Sequence, residues 1–434
     1  MGQFRSNPLT QISTIIVISL GFIQSITNAQ ELNATDAATG DQFGRSGSLS
    51  GNIGLIGAVL DNDNGSGSGS AYIFRNLDMA GGMINESVKL LASDGAAGDE
   101  FSRSTSLSGN VGLIGSVGDD DNGASAGSAY VFRNLDTASG TVNESVKLLA
   151  SDGAASDQFG QTVGLFGNIG LIGAVGDDDN GFGSGSAYIY RNLDSLSGTI
   201  NESAKLLASD GSILDEFGYS VGISGNIGLI GARLDDDNGS ASGSAYVFRN
   251  LDTANGTINE SVKLVPSDGA PNDQFGISVS LSSNIGLIGS QFDNENGTSS
   301  GSAYVFRNLD TANGTINESV KLVPSDGAPS DFFGFSTSLS GSNGLVSARG
   351  NDDNGSNSGS AYVFVNLDTA SGTINELIKL FATDGAADDQ FGYSVSLDGD
   401  RFTIGALRGD GNEPDSGSAF LGTVSSLTLL DFGN

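Results

Sequence analysis

The chain has 434 residues and a formal net charge of −33, because 51 Asp and Glu residues stand against 18 Lys and Arg residues. This acidity argues against nucleic acid or an anionic membrane surface as a partner. The chain contains no Cys and no His, which excludes disulfides, thiolate nucleophiles, imidazole zinc ligands and Ser-His pairs, so we do not expect an enzyme.

The first 29 residues are predicted to be a signal peptide. Arg5 precedes an apolar stretch from Ile15 to Ile23, and the residues before Ala29 suit cleavage after that position. A membrane anchor is the alternative, but the apolar core is shorter than the ~20 residues that span a bilayer. We therefore expect a secreted or cell-surface protein whose mature chain has no membrane span.

From residue 30 onward, one unit is repeated seven times. Each unit holds four short runs of β-branched and aromatic residues between turn-forming Gly, Asp, Asn and Ser, a pattern typical of strands. Four strands in each of seven units predict an all-β, seven-bladed β-propeller over residues 30–422, whereas the alternative, a β-solenoid, usually has shorter rungs. The repeat length is 58 residues, as shown by a recurring Phe at Phe43, Phe101, Phe159, Phe217, Phe275, Phe333 and Phe391.

The two ends of the repeat region predict how the ring closes. The fourth run of a unit carries a Lys 46 residues after the recurring Phe, and in the last unit this position falls beyond Asn434. The segment from Glu31 to Asp36 matches the missing run in kind, so we expect it to pair beside strand three of the last unit and protect that edge. Residues 423–434 form a tail, whose part from Thr423 to Leu430 is the alternative source of this strand.

The recurring strings Asp-Gln-Phe-Gly, Leu-Ile-Gly-Ala and Gly-Ser-Ala-Tyr-Val-Phe resemble the FG-GAP repeat over residues 31–422. This repeat is the blade unit of the integrin α-chain propeller and of many secreted bacterial proteins, so the resemblance implies a propeller with a binding or adhesion role. Integrin-type blades often carry a calcium loop between their first two strands. Here that place holds sequences such as Ser50 to Gly54, which are too poor in carboxylates for Ca²⁺, so those sites are not carried over.

Two classes of loop are expected to gather acidic residues on one face of the propeller. The loops between strands two and three, and those from strand four to the next blade, together hold 35 of the 51 acidic residues. Three interpretations stay open, namely turn formation with solubility, Ca²⁺ binding, and binding of a basic protein. The calcium interpretation adds a nearby loop carboxylate such as Asp99 to these candidate ligands: Asp119, Asp121, Asp177, Asp179, Asp235 and Asp237.

The regularly spaced basic and aromatic residues are expected to be structural. We predict that Arg75 and Lys89, with their counterparts in the other units, pair across strands or with carboxylates such as Glu86. Phe43 and its counterparts are expected to pack between blades together with residues such as Tyr72 and Phe74.

These observations favour a secreted, monomeric, non-catalytic module that binds an extracellular protein or glycan. The first alternative is a purely structural display scaffold, because the units are nearly identical and a specific site usually needs one blade to differ. The second is a secreted carbohydrate-active enzyme. Its site would have to come from the irregular last unit, at Asp398, Asp400, Arg401, Arg408, Asp410 and Glu413.

Overall fold

The strands of the chain form seven sheets arranged as the blades of a closed ring. A computed structural model describes residues 22–25, 30–77, 83–382, 384–411 and 413–424. Each sheet contains five strands. Strand one of every blade contacts strand one of both neighbouring blades, including the first and the last, so these strands surround the central axis. The predicted all-β, seven-bladed β-propeller with its 58-residue repeat is thus confirmed.

Strands one, two and three of each blade form an antiparallel meander. Strand one spans Phe43–Ser50, Phe101–Ser108, Phe159–Phe166, Phe217–Ser224, Phe275–Ser282, Phe333–Ser340 and Phe391–Asp398 in blades one to seven. Strand two spans Ile53–Ala58, Val111–Ser116, Ile169–Ala174, Ile227–Ala232, Ile285–Ser290, Asn343–Ala348 and Arg401–Ala406. Strand three spans Ser70–Arg75, Ser128–Phe132, Ser186–Tyr190, Ser244–Arg249, Ser302–Phe306, Ser360–Phe364 and Ser418–Thr423.

Two short outer strands complete each blade. Strand four pairs antiparallel with strand three and spans Val88–Leu91, Val146–Leu148, Ala204–Leu207, Val262–Leu264, Val320–Leu322, Ile378–Phe381 and, in blade seven, Gln30–Asn33. Strand five pairs parallel with strand four and spans Gly140–Asn143, Gly198–Ile200, Gly256–Asn259, Gly314–Ile316, Gly372–Ile374, Phe22–Ser25 and Ile84–Asn85 in blades one to seven.

The fifth strand was not predicted from the sequence. In blades one to five it comes from the following repeat, from the segment between that repeat's strands three and four. Each blade therefore lends a strand to the outer edge of its predecessor, and the lent strand is short, a common way to limit edge-to-edge aggregation.

The N-terminal segment closes the ring as predicted. Glu31 pairs with Phe420 and Leu32 with Ala419, which makes this segment strand four of blade seven. The strand Phe22–Ser25 pairs parallel with strand four of blade six, although it falls inside the predicted signal peptide. Cleavage after Ala29 stays a prediction, and it would remove this strand while keeping the closing strand.

The hydrophobic core is divided into seven clusters, each located between two neighbouring blades. The cluster between blades one and two joins Leu55 and Leu90 of blade one to Phe101 and Tyr130 of blade two. All these side chains are at most 1% exposed. Phe101 meets Tyr130 edge to face with ring centroids 5.6 Å apart, a favourable aromatic geometry. The predicted packing of the recurring Phe residues between blades is confirmed.

The Phe-Gly pair that begins most copies of strand one creates a β-bulge. The pairing of strand one with strand two shifts register directly after Phe43, and the same shift occurs in every blade. Gly44 has φ +89°, and an added Cβ would lie 2.3 Å from the carbonyl oxygen of Ser418, so glycine suits the bulge. The bulge brings the next residue, Arg45 in blade one, to the central axis.

Within the described ranges, no helix is long and apolar enough to cross a membrane.

Candidate functional site

The acidic loops of each blade converge on the lysine of strand four. In blade two, the Nζ atom of Lys147 lies 2.6 Å from Asp94, 2.9 Å from Asp119 and 2.6 Å from Asp121. Asp94 comes from the loop that enters blade two, and the other two carboxylates come from the loop between strands two and three. We call this group of one lysine and its loop carboxylates a lysine cluster. Both loop classes therefore lie on one face, as predicted.

A buried tyrosine fixes the carboxylates of the lysine cluster. The hydroxyl of Tyr130 lies 2.7 Å from Asp119 and 3.0 Å from Asp94. Burial opposes ionisation of Asp119, but hydrogen bonds from Tyr130 and Lys147 outweigh it and hold the pKa of this carboxyl below its ordinary value. Burial also opposes the charge of Lys147, yet its bonds to Asp121 and Asp94 raise the pKa of the ammonium. Asp119 and Lys147 are therefore both charged at neutral pH.

Six blades carry a lysine cluster, and the seventh does not. The lysines of blades one to six are Lys89, Lys147, Lys205, Lys263, Lys321 and Lys379. In blade six, Asn351 takes the place of the buried Asp. In blade seven, Glu31 pairs with Phe420 where other blades pair a lysine with a tyrosine. Burial and the charge of Asp384 raise the pKa of Glu31.

The predicted calcium ligands all belong to lysine clusters. Asp119 with Asp121, and Asp235 with Asp237, each join a third Asp in groups whose carboxylate oxygens lie within 4.8 Å of one another, as Asp36, Asp61 and Asp63 do in blade one. Asp177 and Asp179 lie 2.9 and 2.7 Å from Lys205. Such groups suit a metal ion, but here the protein's own ammonium group is bound among the oxygens, so a metal ion has to compete with it.

One expected ligand was wrong. Asp99 does not join the cluster; Asp94 does. Asp99 instead accepts a hydrogen bond of 2.7 Å from the backbone N–H of Ala96, within its own loop. A carboxylate that caps a turn in this way is held by the backbone, so its presence beside the acidic loop did not indicate a shared site.

Arg133 does not pair with a carboxylate of the Glu86 type, whereas the lysines lie opposite tyrosines of the neighbouring strand, as predicted. Arg133 donates from Nε to the carbonyl oxygen of Leu193 at 2.7 Å, which ties blade two to blade three. Glu144 accepts hydrogen bonds from the N–H and hydroxyl of Ser93, at 2.9 and 2.6 Å. These residues remain structural, as predicted, but their partners are backbone groups and hydroxyls of adjacent repeats.

The irregular residues of the last unit contact backbone at the point where the ring closes. Asp398 accepts a 2.6 Å hydrogen bond from the N–H of Gly51, and Arg401 donates one of 2.5 Å to the carbonyl oxygen of the same residue. Asp410 accepts a bond from the N–H of Asp415 within its loop. These contacts give a structural reason for the irregularity of the unit.

The sequence analysis missed a central cavity at the start of the seven copies of strand one. Its volume is about 340 Å³, within the range of small-molecule sites. Every blade contributes the residue that follows its bulge, and these residues form a ring that we call the axial ring: Arg45, Arg103, Gln161, Tyr219, Ile277, Phe335 and Tyr393. The cavity lies at the end of strand one that adjoins the acidic loops.

The axial ring differs between blades although the residues around it are repeated. The residue before each ring position is Gly or Ser and the one after is Ser or Thr, whereas the ring itself contains five residue types. Aligning the seven units column by column would have revealed this variable position. Such an alignment would not show that this side chain faces the axis. The bulge places it there, and an ordinary strand register does not indicate the bulge.

A known repeat family matches each of the seven units of the chain. The FG-GAP repeat family matches residues 26–74, 84–132, 142–190, 200–248, 258–306, 316–364 and 374–422. No curated protein matches the chain. Among solved structures, the computationally designed Ika8 protein matches at 14% identity and a TM-score of 0.49, covering 91% of this chain and 100% of its own.

Proposed function

The chain belongs to the FG-GAP repeat family, and from this premise we propose that it is a secreted, non-catalytic module that binds an extracellular protein or glycan. The observation that supports binding most directly is the axial ring. The seven blades repeat Gly or Ser before this position and Ser or Thr after it, yet they carry five residue types at the position itself, which lines a common cavity. Variation at a position that lines a cavity is what a specific ligand site needs.

The binding proposal is tested with residues 30–434 on arrays of glycans and extracellular proteins. We expect retention of a limited set of ligands. Gln161→Trp, which fills the cavity, should abolish the retention of those bound at the axis. Arg408→Gln is the matched control, because Arg408 is exposed and outside the cavity lining. If no ligand is retained, or if the Trp variant binds every ligand as well as the wild type, the display scaffold becomes the better interpretation.

Absence of catalysis stays part of the proposal. The contacts of Asp398 and Arg401 with Gly51 support a structural role for the irregular unit. Turnover of a glycan, ester or peptide by the purified protein, abolished by replacing Asp398 or Asp400, would contradict it.

Binding of Ca²⁺ to the lysine clusters stays a second prediction. It is favoured by three groups whose carboxylate oxygens lie within 4.8 Å of one another, and it is opposed by the lysine that each of them surrounds. Millimolar Ca²⁺ should raise the Tm more than NaCl of equal ionic strength, because a ligand that binds only the folded state stabilises it. Equal shifts from the two salts would mean that only screening occurs.

A further inference from the structure

The axial ring is divided into a cationic part and an aromatic part. Blades one and two contribute Arg45 and Arg103, and blades four, six and seven contribute Tyr219, Phe335 and Tyr393. All five side chains are half-buried, so they are held by the fold while part of each surface faces the cavity. A ligand at the axis therefore meets guanidinium groups on one side and aromatic rings on the other.

The positive charge of this ring is only partly neutralised. Arg103 pairs with Glu100 at 3.3 Å. Arg45 donates a 3.0 Å hydrogen bond to the hydroxyl of Tyr393 and forms no ion pair with any described residue. Arg45 and Arg103 line the same cavity, and burial together with the charge of Arg45 lowers the pKa of Arg103. An anion between them would offset the effect of the neighbouring charge.

A further arginine stands behind the aromatic part of the ring. The guanidinium carbon of Arg349 lies 4.4 Å from the ring centroid of Phe335, and its Nε atom is buried without a hydrogen-bond partner. Where blade six has Arg349, blades one to three have Val59, Val117 and Val175. Arg349 does not line the cavity, so it adds positive charge behind Phe335 without contacting a ligand directly.

The rest of the protein makes this location unusual. Every lysine is enclosed in a lysine cluster, and Arg75, Arg133, Arg249 and Arg307 donate to carbonyl oxygens of neighbouring blades. The axial cavity is therefore a concentration of available positive charge in a chain whose net charge is −33. The acidic outer surface repels anions, whereas the axial cavity attracts them.

The aromatic part offers individual ring faces on which a ligand ring can pack. Phe335 and Tyr393 have ring centroids 5.1 Å apart and an interplanar angle of 59°, and Arg45 lies 5.3 Å from the centroid of Tyr393. Tyr219 is backed by Arg233, whose guanidinium carbon lies 3.9 Å from its ring centroid. These contacts fix the orientation of the aromatic rings before a ligand arrives, which reduces the entropy lost on binding.

We infer that the axial cavity binds a carboxylate carried on a six-membered ring, with the carboxylate between Arg45 and Arg103 and the ring against Tyr219, Phe335 and Tyr393. This inference deepens the proposed binding function and rests on it. Two sources share the chemistry, the hexuronic acid at the end of an acidic glycan and a free aromatic carboxylic acid. Guanidinium groups pair with carboxylates through two parallel hydrogen bonds, and aromatic faces pack on both kinds of ring.

The test is titration calorimetry of residues 30–434 with glucuronate and with benzoate, each compared with its neutral counterpart, glucose or benzyl alcohol. We expect at least one acid to bind and its neutral counterpart to bind at least about tenfold more weakly. Preference for glucuronate over benzoate assigns the site to acidic glycans, and the reverse assigns it to aromatic acids. Either preference supports the shared chemistry.

Three variants test whether the acid binds in the axial cavity. Arg103→Gln removes one guanidinium and Gln161→Glu adds a carboxylate to the axial ring, so each should weaken the acid at least about tenfold. Gln161→Glu deletes no contact that the structure shows, which keeps the test valid if Arg103→Gln lowers stability. Arg408→Gln changes the charge equally outside the cavity and should leave the affinity unchanged.

Equal binding of the acids and their neutral counterparts, or equal weakening by all three variants, would overturn the inference. Failure of both acids would overturn it as well. The binding function would survive either result if the array ligands were still lost with Gln161→Trp. Loss of array binding altogether would instead contradict the proposed function, so the two failures are distinguishable.

Discussion

At the scale of the residue, the lysine clusters place a buried ammonium group among the carboxylates of strongly acidic loops. Lys147 is 7% exposed and meets three carboxylates, of which Asp119 is 4% exposed. The ammonium group supplies the positive charge that the convergent oxygens require. Asp-rich loops indicate a cation site, but their sequence does not reveal whether a lysine from a distant strand also lies among the carboxylates.

Replacing Lys147 with Met tests how much the ammonium group stabilises the carboxylates around it. We expect Lys147→Met to lower the free energy of unfolding by about 3 kcal/mol, because removing one partner of a buried ion pair leaves the other partners uncompensated. Millimolar Ca²⁺ should then restore more stability to the variant than it adds to the wild type. Urea unfolding with and without Ca²⁺ measures both effects.

The control for this experiment is Arg408→Met, which removes one positive charge from an exposed position. It should change stability little and should not alter the response to Ca²⁺. An equal loss of stability in the two variants would mean that net charge, rather than the cluster, accounts for the effect.

The pH dependence of stability should have a maximum on the acidic side of neutrality. Burial raises the pKa of Asp157, Asp215 and Asp273 to about 6, so these groups favour the folded state at low pH, and this contribution is lost as the pH rises from about 4 to 6. Asp119 and Asp177 have lowered pKa values, so their contribution is lost as the pH falls below about 4.

We therefore expect the Tm to be highest at roughly pH 4–5 and to fall from this maximum both towards pH 7.5 and below pH 3.5. Differential scanning calorimetry across this range at constant ionic strength measures the profile. Replacing Asp215 with Asn should flatten the decline between about pH 4 and 6. A Tm that rises steadily from pH 4 to 7.5 would show that the raised carboxyl groups do not contribute.

At the scale of the element, the sequence identified four strands of each blade and missed the fifth. The four have apolar or alternating runs, whereas fifth strands such as Gly140–Asn143 are mostly exposed and contain Gly and Thr. Their strand conformation depends on pairing with strand four of the preceding blade. Local composition could not predict them, because the partner that makes them strands belongs to another repeat.

Serine hydroxyls on strand one of a blade accept hydrogen bonds from strand one of the next blade around the axis. The hydroxyls of Ser48 and Ser106 accept hydrogen bonds of 2.9 Å from the N–H groups of Leu107 and Leu165. The same contact recurs at Ser280, Ser338 and Ser396. Blades three and four have Gly164 and Gly222 at this position, so their contacts with the next blade lack the hydroxyl.

Gly222→Ser should therefore stabilise the contact between blades four and five. We expect a gain of about 1 kcal/mol in the free energy of unfolding, the usual contribution of one hydrogen bond. An added Cβ would lie 3.3 Å from the backbone nitrogen of Leu281, close enough for its hydroxyl to reach that group. Gly222→Ala is the matched control, since it adds the Cβ without the hydroxyl. Equal stability of the two variants, measured by urea unfolding, would contradict a role for the hydroxyl.

At the scale of the whole molecule, the number of blades, the repeat length and the closure followed from the spacing of Phe43 and its counterparts. The axial cavity did not, because it arises only when seven strands meet at one axis. Arg45 and Tyr393 are 348 residues apart in the chain and are joined by a hydrogen bond. A site assembled from the first and last blades requires the closed ring, so its chemistry was not visible in any one repeat.

Closure should also control stability, because strand four of blade seven comes from the other end of the chain. Leu32 is 1% exposed and packs in one cluster with Phe43 and Leu421, so this strand joins blades seven and one. Deleting residues 1–29 keeps the strand, whereas deleting residues 1–35 removes it and exposes the edge of strand three. We expect the first deletion to leave a folded monomer.

The longer deletion should lower the Tm by several degrees and produce aggregates, because an unpaired strand edge and an uncovered apolar cluster favour association between molecules. Scanning calorimetry and size-exclusion chromatography with light scattering measure both properties. Leu32→Ala in residues 30–434 provides an intermediate case, since it keeps the backbone pairing and should cost about 2–5 kcal/mol through the cavity it leaves. If residues 36–434 are as stable and as monomeric as residues 30–434, the N-terminal strand does not hold the ring closed, and some other segment must pair with strand three of blade seven.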